Sequence, residues 1–256
     1  MNKFLIYSSL FLVIFIQSCK KDGSLQNNLL NATVWYQTSA EMNACYYQAF
    51  NLAKMKLFTN MQVSDNEMKK AVIVDIDETM LDNSPFEAYL IKNKLEYSKK
   101  LWIEWVKLEK AKALPGALDF AKFAKENGVE IFYISNRHKE NLLPTMENLK
   151  KEGFPFADTN HILLKDTTSD KTLRRNIVEQ NYDVILFIGD NLRDFDENYK
   201  YDKKHSVKEK IQLDKELFGT KYIIIPNPMY GEWTKKYEGK TLNEVSQKMI
   251  ENLQSY

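Results

Sequence analysis

Two aspartates one residue apart close an apolar run in the stretch AVIVDIDETMLDNSPF, residues 71–86. A buried, unpaired carboxylate is expensive to desolvate, so Asp75 and Asp77 call for a compensating cation or a reacting partner. Along an extended chain, positions i and i+2 share a face, so these two side chains project together while Ile76 turns into the core. Two other apolar runs end in the same manner. IFYI leads into Ser135-Asn136-Arg137, and VILFIG leads into Asp190, with Asn191 and Asp194 just beyond. Each string alone is weak, since GDN is a common turn. Their conjunction sets acid pairs beyond the first and fourth strands, and a hydroxyl and an arginine beyond the second. That inventory suits chemistry on an anionic phosphate ester.

The elements that must position these groups alternate along the chain. The spacing predicts a long amphipathic helix over 33–58, then the strand 71–76. An aromatic-rich helical insertion around Trp102 and Trp105 follows, and both tryptophans read as packing for that insertion. Pro115-Gly116 opens a helix that Gly128 closes, ahead of the strand VEIFYIS. A helix starting near Pro144, the strand HILLK, the helix KTLRRNIVEQN and the strands DVILFIGD and KYIIIPNP complete the pattern. Apolar, β-branched runs alternating with helices predict an α/β fold, a doubly wound parallel sheet with helices on both faces. Such sheets bind ligands at the carboxyl ends of their strands, where the polar groups lie. The insertion after the first strand, roughly fifty residues, is too long for a βα loop and predicts a mainly helical cap.

Lys+Arg number 36 and Asp+Glu 35 in 256 residues, a net charge of +1. This balance gives no electrostatic footprint for a nucleic acid polymer. Residues 1–18 have the layout of a secretory signal peptide: an early lysine, an apolar run and a small-residue end. Ile16-Gln17-Ser18-Cys19 resembles a bacterial lipobox, which would lipidate Cys19 and make 19–32 a polar, lipid-anchored tether. The mature chain then holds one further cysteine, Cys45, and no intrachain disulfide. Cys45 sits at helical spacing from Met42, Tyr46, Ala49 and Ala53 and reads as a core residue. The three histidines, His138, His161 and His205, lack zinc-like spacing.

The strings DIDETMLDNSPF, PGALDF, FYISNR and GDNLRDF together resemble the class C acid phosphatases of the haloacid dehalogenase (HAD) superfamily. WYQTSAEMNACYYQAFNLA and IPNPMYGEW extend the resemblance over nearly all of the chain beyond the tether. It implies a single HAD-like domain over 33–256, with a cap drawn largely from 33–60 and 84–112. It also implies a Mg²⁺-dependent phosphomonoesterase, an expectation that fits hard-cation chemistry: magnesium takes one or two carboxylates, waters and substrate phosphate. Asp75 is the candidate nucleophile, and Asp77 the group that protonates the leaving alkoxide and then activates water. By resemblance the metal takes the Asp75 carboxylate, the Asp77 main-chain carbonyl and Asp190, with Asp194 acting through water or behind the ligands. Lys171, at the start of a helix in the string SDKTLRR, is the candidate phosphate cation, with Lys165 the runner-up. Ser135, Asn136 and Arg137 complete the phosphate site.

Many class C phosphatases are outer-membrane lipoproteins acting as 5'-nucleotidases, in which two aromatic rings sandwich the base. The matching positions are Tyr97 and Tyr230. The implied partners are a small-molecule phosphomonoester, a nucleoside 5'-monophosphate first among them, and a bacterial outer membrane reached through a lipid anchor. A homodimer is among the expected assemblies. A phosphatase for non-nucleotide esters is one alternative. A non-catalytic surface lipoprotein is another, against which the complete set Asp75, Asp77, Lys171 and Asp190 argues.

Overall fold

The computed structural model describes residues 25–64, 67–202, 206–237, 239 and 242–256. The predicted signal peptide and Cys19 lie outside them. The chain runs α1 (Leu25–Thr38), α2 (Ala40–Val63), β1 (Lys70–Val74), β2 (Leu81–Asp82), α3 (Ser84–Asn93), α4 (Lys99–Lys107) and β3 (Lys112–Ala113). It continues through α5 (Ala117–Glu126), β4 (Glu130–His138), α6 (Leu142–Glu152), β5 (Ile162–Lys165), α7 (Thr172–Glu179) and β6 (Asp183–Gly189). The last elements are α8 (Val207–Leu213), β7 (Tyr222–Ile224) and α9 (Leu242–Glu251).

Five strands form one parallel sheet in the order β5-β4-β1-β6-β7. Alternate residues of the central strands feed two separate cores. Val72, Val74, Ile131, Tyr133, Leu186 and Ile188 face Phe50, Ala53 and Leu57 of α2 and Phe120, Ala121 and Ala124 of α5. Ala71, Ile73, Phe132, Ile134 and Phe187 face Val178 of α7 together with Phe195 and Tyr199. Both faces are thus covered, as apolar parallel strands require. Chain order reverses direction on either side of β1, so the switch point where such sheets bind ligands falls between β1 and β6.

The expected single helix over 33–58 is two helices. Ser39 interrupts them, in extended conformation, and caps α2 by accepting from the Met42 amide at 3.1 Å. Residues Leu25–Ala32, expected in the tether, are the first turns of α1. The buried seam of α2 also places it on the sheet, beside α5, β6 and β7, while α1 packs on α3. The helical layer over the strand ends is therefore drawn from α1, α3 and α4. Cys45 is exposed, against expectation. The seam runs Met42, Tyr46, Phe50, Ala53, Leu57, and Cys45 points about 100° round the helix from it. The two-stranded ribbon β2–β3 ties the base of the 83–111 insertion. Asn148 of α6 clamps the same base, accepting from the Ala111 amide at 3.2 Å and donating to the Ala111 carbonyl at 2.8 Å.

Candidate active site

β1 carries the sheet ladder up to the first aspartate, since the Asp75 amide donates to the Ile188 carbonyl at 2.9 Å. Beyond β6, the short turn Leu192–Asp194 folds back onto the strand end. Asn191 caps it, accepting from the Arg193 amide at 3.1 Å, while Asp194 Oδ2 accepts from the Asn191 amide at 2.9 Å. Gly189 permits this: a Cβ there would lie 2.6 Å from the Asp194 Cβ. The result is an acid cluster, with carboxylate oxygens of Asp75, Asp190 and Asp194 all within 4.8 Å of one another.

Lys171, at the N-cap of α7, reaches into this cluster with its Nζ buried. It donates to Asp75 Oδ1, to Asp194 Oδ1 at 2.7 Å and to the Ile134 carbonyl at 2.6 Å, which occupies all three ammonium protons. Burial pushes the ammonium down, but Asp194 and Asp75 outweigh it and hold Lys171 above its ordinary value. Burial, only partly offset by Lys171, pushes the Asp75 carboxyl up to about 7, with Asp194 and Asp77 adding to the rise. Asp190 is raised by burial and then by the charges of Asp194 and Asp75. It accepts from Asn227 Nδ2 at 2.8 Å, and Asn227 Oδ1 in turn accepts from the Met229 amide at 2.9 Å. One asparagine so ties Asp190 to the loop that bears Tyr230.

Asp77 lies just off the strand, in a single bridge with Leu81. The chain turns sharply after it, with Glu78 at φ 57°, a left-handed conformation uncommon for a side chain of this size. The turn is held from both sides: Tyr46 Oη donates to the Glu78 carbonyl at 2.5 Å, and Glu78 Oε1 accepts from the Asn83 amide at 2.8 Å. The Tyr36 hydroxyl of α1 meets that of Tyr46. On Asp77 itself, Oδ1 accepts from Arg137 Nε at 2.9 Å, from Arg137 Nη2 at 2.8 Å and from Asn83 Nδ2 at 2.9 Å. Oδ2 accepts from the Ser135 hydroxyl at 3.1 Å.

A cavity of about 570 Å³ opens over these groups. Asp75, Asp77, Asn136, Arg137, Lys171, Asp190 and Asp194 form its floor, and Tyr97 and Tyr230 stand in its walls. Ser135 lies behind Asp77, fully buried. Asn136 is held by Arg174 Nη2 at 2.8 Å. Lys165 also lines the cavity, but among the described residues it is Lys171 that is joined to the acid cluster. Trp102, expected only to pack the cap, is a cavity wall as well: its ring lies 5.2 Å from that of Phe86, and the Arg137 guanidinium sits 5.8 Å from its centre. Trp105 donates from Nε1 to Asn83 Oδ1 at 2.9 Å. The sequence reading missed Asn83, Arg174, Asn227 and Glu87. Asn83 and Asn227 sit inside quoted strings, DNSPF and IPNPMYGEW, and were readable as turn residues only.

The cluster suits a hard divalent cation. Three carboxylates lie around one lysine, and the burial and mutual repulsion that raise Asp75 and Asp190 are what an oxygen-seeking cation relieves. Both Asp194 oxygens are engaged at short range, by Lys171 and the Asn191 amide. Asp75 gives only Oδ1 to Lys171, and Asp190 Oδ1 meets only the Thr79 hydroxyl, at 3.5 Å, which leaves Asp75 and Asp190 as the freer donors.

Comparison with known proteins places the chain in a family. Residues 21–233 match the family described as HAD superfamily, subfamily IIIB (Acid phosphatase). The structure of the class C acid phosphatase from Bacillus anthracis is 41% identical and superposes with a TM-score of 0.83, covering 91% of this chain and 99% of that one. The same enzyme with tungstate bound gives 40% identity and a TM-score of 0.85. Among curated proteins, a stem 31 kDa glycoprotein of Glycine max is 30% identical over 128 residues, 48% of this chain and 50% of that protein. Vegetative storage protein 1 of Arabidopsis thaliana is 29% identical over 143 residues, 52% of each. The chain spans about half the length of these plant relatives. From the family match and the full-length structural likeness together, this chain belongs to the acid phosphatases of HAD subfamily IIIB, in their class C branch.

Proposed function

We propose that the protein is a Mg²⁺-dependent phosphomonoesterase that works through an aspartyl-phosphate and acts on nucleoside 5'-monophosphates at the bacterial cell envelope. The observation that carries the reading is the pair of aspartates at one strand end with separate surroundings: Asp75 in the acid–lysine cluster, Asp77 in the grip of Arg137, Asn83 and Ser135. Environments that differ this much assign different roles to like groups.

Asp75 attacks phosphorus through a carboxylate oxygen, the bond from phosphorus to the substrate oxygen breaks, and the leaving alkoxide takes a proton from Asp77. Three donors crowd Oδ1 of Asp77, which leaves Oδ2, beside the Ser135 hydroxyl, as the oxygen to hand over that proton. Water then attacks the phosphoryl group, giving its proton back to Asp77 as the bond to Asp75 breaks and inorganic phosphate leaves. Lys171 exchanges its carboxylate contacts for phosphate oxygens as the ester enters, and Asn136 borders the same space. Asp75 and Asp190 would hold the metal, and bound there it would neutralise the charge that otherwise repels a carboxylate nucleophile from an anionic ester. The Bacillus anthracis relative binds tungstate, a tetrahedral oxyanion like phosphate, which supports phosphate-ester chemistry for this fold.

The nucleotide preference rests on Tyr97 and Tyr230 lining one cavity with the floor. Tyr97 is 63% exposed and meets Phe86 in a T-shaped contact, so much of its ring is open to a stacking base. The envelope location rests on the lipobox-like string at Cys19. Phosphate release from nucleotides, sugar phosphates and phenyl phosphate, with and without Mg²⁺, tests the reading. No metal-dependent release from any of them overturns it, and release only from base-free esters overturns the nucleotide part.

A further inference from the structure

Glu87 is a buried carboxyl without a counter-ion, and its place is in the cavity wall rather than in the core. It sits in the first turn of α3, is only 9% exposed, and lines the same cavity as Tyr97, Trp102 and Tyr230. Among the described residues no hydrogen bond or ion pair reaches it. Buried carboxyls are ordinarily paired, because an unpaired one costs the full desolvation of a strong acceptor. The neighbouring carboxylates on the floor are all engaged, by Lys171, Arg137, Asn83, Asn191 or Asn227. Burial alone pushes Glu87 up to about 7, with no partner of either sign contributing. The charge of Glu87 is felt across the cavity wall, where it adds to burial and Asp77 in raising the Tyr97 hydroxyl. A group held this way, aimed into a pocket, lacks its partner until the ligand brings one.

Resting on the phosphatase reading above, we infer that Glu87 is a specificity-determining residue, which selects phosphate monoesters whose alcohol portion carries an N–H or O–H donor. A polar pocket group rejects an analogue that lacks the matching donor far more strongly than an apolar wall can, because binding the analogue leaves the group buried and unmatched. The same logic gives a second signature. A side chain kept for binding at the expense of the fold should stabilise the protein when replaced by an apolar one of similar size.

The test compares wild type, Glu87→Leu and Glu87→Gln on adenosine 5'-monophosphate, purine riboside 5'-monophosphate, 2',3'-dideoxyadenosine 5'-monophosphate and phenyl phosphate. For Glu87→Leu, kcat/KM on adenosine 5'-monophosphate falls by about tenfold or more, against less than about twofold on phenyl phosphate. Glu87→Gln, which still accepts a hydrogen bond, keeps most of the preference. The purine riboside and dideoxy esters tell whether the base amine or a sugar hydroxyl is read, since the one lacking the donor loses its sensitivity to Glu87→Leu. The Tm of Glu87→Leu rises by about 2–4 °C. Equal losses on adenosine 5'-monophosphate and phenyl phosphate overturn the inference, as does no loss on either. Wild type that turns over phenyl phosphate but no donor-bearing ester also overturns it while leaving the phosphatase intact. Wild type inert on every ester overturns the phosphatase reading instead. If Glu87→Leu does not fold, Glu87→Gln decides by whether the nucleotide-to-phenyl ratio stays within about twofold of wild type or collapses to that of a site without selection.

Discussion

Arg137 sets two donors, Nε at 2.9 Å and Nη2 at 2.8 Å, on one and the same carboxylate oxygen of Asp77. The guanidinium is only 1% exposed, and its third nitrogen bonds the Thr145 hydroxyl at 3.2 Å, so it cannot swing away. The fork fixes which Asp77 oxygen is left for the proton transfer proposed above. Lysine cannot reproduce it, being a point charge without the planar fork. Arg137→Lys should lower kcat by about 10²-fold on an alkyl phosphate, within the range a positioned acid contributes. It should lower kcat much less on p-nitrophenyl phosphate, whose leaving group needs no proton. Equal losses on the two esters would contradict the role given to Asp77.

Asp75→Asn should reduce turnover by about a thousandfold or more while the circular dichroism spectrum stays that of wild type. Chelation should silence the wild type reversibly, and added Mg²⁺ should raise Tm as well as activity. A ligand at a hundred times its Kd stabilises the folded state by about 2.7 kcal/mol. Activity surviving either treatment would rule out the aspartyl-phosphate route.

Tyr230→Ala should raise KM for nucleoside monophosphates about five- to two-hundredfold, the equivalent of one lost stacking face at about 1–3 kcal/mol. Phenyl phosphate should be nearly indifferent, and Tyr230→Phe nearly silent, because the ring and not the hydroxyl does the stacking. A fall in kcat would show that the ring also positions the phosphate. Parallel losses on nucleotide and phenyl phosphate would make Tyr230 a packing residue.

Glu87 should imprint a pH dependence on stability. Its folded-state value, about 7, lies above its ordinary 4.5. The contribution is therefore fully present below about pH 4.5 and is lost as pH rises through about 7, on the order of 3 kcal/mol in all. Glu87→Gln should flatten the stability profile in that window. Profiles of wild type and variant that run parallel from pH 4.5 to 7 would show that Glu87 is solvated.

Cys19→Ala should block acylation and lipoprotein-type processing, and shift the protein from the membrane fraction to the soluble one. Unchanged processing, with no acyl group found on Cys19 in the wild type, would refute the anchor.

The strands and their acidic ends were readable because buried parallel strands are apolar throughout, so a carboxylate at the end of one stands out. Asp75, Asp77 and Asp190 announced themselves in this way. Lys171 did not: one lysine among many, it was singled out by family resemblance, and only packing shows all three of its protons engaged inside the fold. The break at Ser39 was hidden because apolar residues keep helical spacing across it. Cys45 was misplaced because a seam advancing mostly by fours drifts away from the i+3 position. Asn83 is met by Trp105 and Arg137, and Asn227 holds Asp190, all far away in sequence, while Glu87 is marked by the lack of a partner, and no local pattern shows either.

The N-terminal helix reaches the reacting centre twice. Leu29 borders the cavity, and Tyr36 closes a chain of hydroxyls that runs through Tyr46 to the carbonyl of Glu78, next to Asp77. With the anchor proposed at Cys19, the folded enzyme has begun by Leu25, inside the stretch that composition assigns to the tether. A soluble version made by trimming the anchor should begin no later than Leu25. One started at residue 33, where the polar stretch ends, would forfeit a wall of its own substrate pocket along with the tether.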